Sequence, residues 1–162
     1  MIVLDTSVIS AFAQIGRFSL LQEIIRRLGV KAVIPQTVEE EIIFPEAISS
    51  LSKNGGWIDV KIAQDFKEYL LSLHEGESGV IALVKKYGWI AALDDLDARK
   101  IARKEQIKIT GTLGVIKIGY ELCPIKDKKE LKNIIGDLRK AGFFMTHDIA
   151  QGILDTEKHN NK

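Results

Sequence analysis

The chain opens on Ile2-Val3-Leu4 and stops at once on Asp5-Thr6-Ser7; a second apolar run, residues 89–93, stops on Asp94-Asp95. Runs this short, apolar at every position, do not suit an open antiparallel sheet, whose strands alternate between core and water. They read as strands covered on both faces, the pattern of a parallel sheet. Ala32-Val33-Ile34 is a third such run, ended by Pro35; residues 107–109, interrupted by Lys108, read as a further strand. Residues 57–62 read as an edge strand. Between the runs the apolar spacing changes to three and four, which predicts helices over residues 7–14, 19–28, 64–73, 75–87, 97–104, 112–121, 128–140 and 146–155. A further helix is expected to start at Pro35, a residue suited to the first helical position. Residues 49–56, rich in Ser, Asn and Gly, form the clearest loop. The alternation predicts an α/β fold with a parallel sheet covered by helices.

With 162 residues, one domain is the natural count, here residues 1–156 with a polar tail over 157–162. An apolar content of 46% and a charged content of 28% fit a globular chain and exclude a disordered one. No run approaches a membrane span, and the opening apolar run is broken by Asp5 before it can serve as a signal peptide, so a cytoplasmic protein without a membrane partner is expected. The single cysteine, Cys123, rules out an internal disulfide and a cysteine zinc cluster, and is expected to be a small buried apolar residue. A net charge of +1 neither favours nor excludes nucleic acid; a local patch would have to do that.

Four acids carry the chemistry. Asp5 and Asp95 sit at strand ends, where open α/β folds bind ligands. Glu41 shares a helical face with Val38 and Ile42, whereas Glu39 and Glu40 are expected to be solvated. Glu77 shares one with Val80, Ile81 and Val84. An inward carboxylate needs a partner. Capping offers a competing explanation for each: Asp5 before a helix, Glu77 in a first turn, and one of the Asp94-Asp95 pair at a helix start. Asp97 looks like the purest cap. The conjunction of four acids favours a divalent cation, and all-oxygen donors suit Mg²⁺ or Mn²⁺ over zinc. Asp94 is a further candidate ligand, since a cation would relieve its repulsion with Asp95. Such sites activate a water against a phosphodiester.

Other chemistries lack their motifs. There is no Walker A run and no GxGxxG after a strand, and no GxSxG or HExxH. Gly111-Thr112-Leu113-Gly114 is too short to cradle a pyrophosphate; Thr112 reads as an N-cap, with a hydroxyl near the phosphate as the alternative. Basic residues gather at Arg99, Lys100, Arg103 and Lys104, and again at Lys126, Lys128, Lys129 and Lys132. The ordinary reading is a solvated face. The first group begins beside Asp95, so Arg99, Lys100 and Arg103 are the candidates for guiding an RNA backbone.

Taken in order, Ile-Val-Leu-Asp-Thr-Ser at the start, Ile-Pro-x-x-Val-x-x-Glu ending at Glu41, Gly76-Glu77 opening an apolar helix, and Leu-Asp-Asp-x-x-Ala-Arg from Leu93 resemble the PIN domain. Gly-Thr-Leu-Gly from Gly111 and the late Gly142-Phe143-Phe144 resemble its DUF3368 branch, related to VapC toxins. The resemblance runs to about Leu154. It implies a three-layer α/β/α fold and an Mg²⁺- or Mn²⁺-dependent ribonuclease of the toxin–antitoxin type, acting on RNA. It implies Asp5, Glu41, Glu77 and Asp95 as the family acids, with Ser7 as a supporting hydroxyl and Thr112 as a further one. Glu77 stands where VapC proteins usually carry Asp, and Asp94 where many relatives carry a small residue. An antitoxin partner and a homodimer are expected by the same analogy. Two other readings remain: a PIN-like module that binds RNA or protein without cutting, and a phosphatase with Asp5 as nucleophile. The second lacks the acid two residues on, where this chain has Ser7.

Overall fold

The computed structural model describes residues 1–157. The polar tail expected over 157–162 therefore falls, but for its first residue, outside the described residues. Five strands, β1 (Ile2–Leu4), β2 (Ala32–Pro35), β3 (Ile58–Lys61), β4 (Ile90–Ala92) and β5 (Lys108–Thr110), form one sheet in the order β3-β2-β1-β4-β5. Every pairing is parallel, with Ile2 level with Ala32 on one side and Ile90 on the other. The covered strands are apolar because both faces are packed: Ile2, Val3, Leu4, Ala32, Val33, Ile34, Ala91 and Ala92 are all buried.

The helices are α1 (Thr6–Gln14), α2 (Phe18–Arg27), α3 (Gln36–Glu41), α4 (Pro45–Ser49), α5 (Glu75–Tyr87), α6 (Leu96–Lys104), α7 (Thr112–Glu121), α8 (Lys128–Lys140) and α9 (His147–Leu154). Helix α5 packs on β1, β2 and β4 with α3 and α6 beside it, while α1, α2 and α7 pack on one another, so helices flank the sheet. From β1 the chain steps out through β2 to β3, then returns past β1 to β4 and β5. The strand order thus reverses between β1 and β4, and in such sheets the crevice at the carboxyl ends of the two strands is the usual ligand position.

Several expectations need correction. Pro35 is the last residue of β2 and caps α3 from outside; the helix starts at Gln36. Residues 64–73 do not form a helix. Asp65 takes a left-handed conformation (φ 59°), which blocks helix initiation, and only a 3₁₀ turn, Phe66–Tyr69, follows. Tyr69 and Leu73 turn inward while Leu71 stays in solvent. The short α4, with Pro45 in its first turn, falls where no helix was expected. Cys123 is exposed, not buried, at a left-handed position (φ 71°) after α7. Glu39 is half-buried and pairs with Lys53, not free in solvent. Among the described residues no helix is long and apolar enough to cross a membrane.

Candidate active site

Asp5 follows β1 directly, and its backbone N–H donates to the carbonyl of Ala92 at the end of β4 (3.1 Å), so it sits at the reversal point of the sheet. It is 4% exposed. As N-cap of α1 it accepts from the Ser7 amide (3.1 Å) and the Ser7 hydroxyl (2.6 Å), both through Oδ2. Ser7 thus fixes one oxygen of Asp5. Burial nevertheless holds the Asp5 pKa above the ordinary carboxylate value, and the charge of Glu41 pushes it further the same way.

Glu41 is the last residue of α3. Its carboxylate is solvent-exposed at the lip of the crevice, not enclosed, yet it reaches across to the neighbouring elements. The Thr6 hydroxyl donates to one oxygen and the Gly76 amide to the other (3.2 Å). Gly76 is required by this approach: a Cβ there would lie 2.7 and 2.8 Å from the two Glu41 oxygens.

Glu77, half-buried in the first turn of α5, accepts from the His74 amide (3.1 Å) in a capping box. Its pKa is raised, first by burial and then by the charges of Asp95 and Asp5. Asp95 caps α6, taking the amides of Asp97 and Ala98 (2.8 Å each) on Oδ1. The cap is therefore Asp95, while Asp97 is exposed and pairs with Lys100 (2.7 Å). Each acid of the set feels the charge of at least one other, and no Lys or Arg forms an ion pair with any of them among the described residues.

The same row of the sheet holds a second network. Asp94 accepts the Thr112 amide (2.8 Å) and the Thr112 hydroxyl (2.5 Å). Beside it, Arg99 Nη1 donates to the carbonyls of Leu93 (2.8 Å) and Thr110 (3.1 Å). Both Asp94 oxygens, the buried Thr112 hydroxyl and this guanidinium nitrogen are thus committed to joining β4, β5 and α7. Gly111 leaves no room for a Cβ, which would lie 2.6 Å from Asp94 Oδ1 and 2.8 Å from Arg99 Nη1. Asp94 was expected as a ligand, Arg99 as an RNA contact and Thr112 as an N-cap, with a phosphate hydroxyl as the alternative; here Gly111 is the N-cap of α7, and all three side chains have this internal role. Burial raises the Asp94 pKa against the Thr112 bonds and the Arg99 charge, which lower it. Lys100 and Arg103 are exposed, but Lys100 is taken by Asp97 and Arg103 lies in the last turn of α6, away from Asp95. That Thr112 pairs with Asp94, like the Arg99 role, carries no sequence signal short of the fold.

The donor set suits a hard divalent cation. Asp5, Glu41, Glu77 and Asp95 offer only oxygen, and Glu77 Oε1 and Asp95 Oδ2 accept no hydrogen bond among the described residues. No three ligand side chains among the described residues are already gathered tightly enough to hold a metal. The groups fit the ion's chemistry, and a bound ion would have to draw them together.

An all-parallel sheet with acids at its reversal point defines an α/β protein of the PIN fold. A family model described as a PIN domain, DUF3368, matches residues 1–159, and the chain belongs to that family. Comparison with curated proteins, and with solved structures, gives no match. PIN domains are in general nucleases that use divalent metal ions and bind nucleic acid.

Proposed function

We propose that the protein is a metal-dependent endoribonuclease that hydrolyses RNA phosphodiester bonds, with Asp5, Glu41, Glu77 and Asp95 as the metal-holding acids. The observation that carries this reading is the set of mutually repelling carboxylates at the sheet reversal, one of them buried, with no Lys or Arg in ion-pair contact with any among the described residues. A buried carboxylate without a counter-charge costs several kcal/mol in its ionised form unless a cation binds it. A Mg²⁺ or Mn²⁺ ion supplies water activation and charge neutralisation at the phosphate when bound. Ser7 fixes the Asp5 rotamer, Thr6 and Gly76 fix Glu41, and the α5 and α6 amides orient Glu77 and Asp95. The four acids are thereby each tied to a rigid element at the same sheet edge, and a bound ion would draw them the remaining distance together. No histidine or lysine stands in the set, so a dedicated general base is not part of this reading. A toxin role, with an antitoxin covering the crevice and a homodimer, rests on the resemblance to VapC proteins.

A second reading has one observation in its favour: Glu41 already spends both oxygens on protein donors, and the acids are not gathered into a metal geometry. In that case the chain is a non-cutting RNA- or protein-binding module. Incubating the protein and Asp5→Asn with structured and single-stranded RNAs in Mn²⁺, Mg²⁺ or EDTA separates the two. Cleavage that needs metal and disappears in the variant supports the nuclease. Absence of cleavage together with absence of Mn²⁺ binding by calorimetry refutes it.

A further inference from the structure

The opposite, amino edge of the sheet has a different character. Tyr87 ends α5 and Trp89 follows two residues later, and their rings stack at 4.4 Å with an interplanar angle of 15°. Tyr87 is 45% exposed. Lys86 Nζ stands 5.5 Å over the Tyr87 ring and bonds only to the neutral Gln64 (2.9 Å). Ile90, next along, is level with Lys108 of β5, and α6 delivers Arg103 and Lys104 to the same edge, since Ile107 donates to Ala102 (2.8 Å). An open groove of about 240 Å³ runs between Trp89 and Lys108.

The charges here are unbalanced. Among the described residues Lys86, Arg103, Lys104 and Lys108 have no carboxylate partner, and all are exposed. Of the acids of the neighbouring elements, Glu68 and Glu105 are engaged by Lys85, at 3.6 and 3.0 Å, which leaves Asp65, beside Gln64, as the one exposed acid set against the four cations among the described residues. A near-parallel aromatic pair with one partly open ring, ringed by unpaired cations, is the combination that holds single-stranded nucleic acid: bases stack on the ring while lysines meet the backbone. Duplexes hide their base faces, and acidic polypeptides have no flat group to stack, so neither matches the aromatic part of the surface.

We propose that this amino edge is a second RNA-binding surface, remote from the carboxylates, in which Tyr87 and Trp89 stack a base and Lys86, Lys104 and Lys108 contact the flanking phosphates. The proposal rests on RNA being the substrate, but not on its being cut. Ten residues of α5 separate Glu77 from Tyr87, about 15 Å at the helical rise. A strand engaged at both sites has to pass along the molecule, so the surface serves long RNAs rather than fragments of a few nucleotides.

Fluorescence anisotropy in EDTA, where cleavage plays no part, tests this with a labelled single-stranded RNA of about twenty nucleotides. The full chain is compared with the Lys86→Ala, Lys104→Ala, Lys108→Ala triple variant and with Tyr87→Leu, each checked for an unchanged melting profile. The triple variant is expected to reduce the salt dependence of log K by about two, three contacts at roughly 0.7 each. Tyr87→Leu, which keeps apolar bulk but removes the ring, is expected to weaken binding about fivefold or more. Unchanged binding by the triple variant overturns the proposal, as does displacement by polyglutamate as effective as by unlabelled RNA. Equal affinity for inorganic polyphosphate, with Tyr87→Leu unaffected, reduces the surface to charge alone and overturns the stacking. Loss of cleavage in Mn²⁺ with this binding intact counts against the nuclease instead.

Discussion

Replacing Asp94 by alanine removes the acceptor of both hydrogen bonds donated by Thr112, a residue with no solvent exposure of its own. A bond to a charged acceptor contributes roughly 1.5–3 kcal/mol. Two give about 3–6 kcal/mol, offset in part because burial already disfavours the ionised Asp94, as its raised pKa shows. A net loss of about 2–4 kcal/mol follows, which at ~2–4 °C per kcal/mol for a chain of this size lowers Tm by about 5–15 °C. The two neighbouring aspartates set the scale. Asp95→Ala loses an N-cap, about 1 kcal/mol, less the repulsion from Glu77 that it relieves. Asp97→Ala loses an exposed pair with Lys100, worth under about 0.5 kcal/mol. Thermal melts and urea unfolding at constant m are the assay. The pH dependence has a definite sign. A folded-state pKa above the unfolded value means that the Asp94 contribution is complete below about pH 3.9 and declines as pH rises through the folded pKa. The Asp94→Ala penalty is therefore larger at pH 4 than at pH 7.5. An Asp94→Ala protein melting within about 2 °C of the parent, or no lower than Asp97→Ala, refutes the reasoning.

Three further outcomes are expected. In EDTA, Asp5→Asn melts above the parent at pH 8 and the gain disappears towards pH 4; burial raises the folded pKa of Asp5, so its charged form costs stability above that pKa and costs nothing once protonated. A lower Tm for the variant at pH 8 contradicts this. Mn²⁺ at about 100 times its Kd adds roughly 2.7 kcal/mol, a rise of about 5–10 °C by scanning calorimetry, and does so in the parent but not in Asp5→Asn. Ser7→Ala, which deletes the 2.6 Å bond to Asp5, lowers Mn²⁺ affinity by about 10- to 100-fold by titration calorimetry, while Tm moves by only a few degrees.

The parts of the fold that were legible in the sequence are those set by periodicity. Ile2-Val3-Leu4 and Ala32-Val33-Ile34 announce covered strands because every residue in them loses water, and residues 75–87 announce α5 because the small and apolar positions recur at helical spacing. Residues 64–73 misled because Phe66, Tyr69 and Leu73 also recur at helical spacing, while the left-handed Asp65 that denies them a helix is a conformation, not a pattern. The same limit divides the site. That Asp5, Glu41, Glu77 and Asp95 belong to one edge follows from strand ends and helix faces. That Asp94 and not Asp97 is the aspartate bound to α7 depends on which of three nearby carboxylates the β5–α7 turn meets, a contact made eighteen residues away by Thr112. Arg99 is less legible still: in sequence it heads a basic run, and only the meeting of β4 with β5 supplies the two carbonyls that hold it.

Capping and ligand binding looked like rival explanations for the acids, but the geometry makes capping compatible with the proposed metal role. Asp5 caps α1, Asp95 caps α6, and Glu77 closes the capping box of α5, so three helix N-termini converge on the crevice with an acid at each. Each terminus carries about half a positive charge from its unpaired amides, which stabilises a nearby carboxylate by roughly 0.3–1 kcal/mol. Three such termini offset part of the repulsion among the acids but supply no full cation, and the pKa values of Asp5 and Glu77 stay raised, first by burial and then by the neighbouring acids. An arginine in the crevice would remove that residue of repulsion and with it the affinity for a metal. Helix termini do not: they hold the carboxylates in position, one oxygen bonded to amides, and leave the remaining negative charge available to a divalent ion.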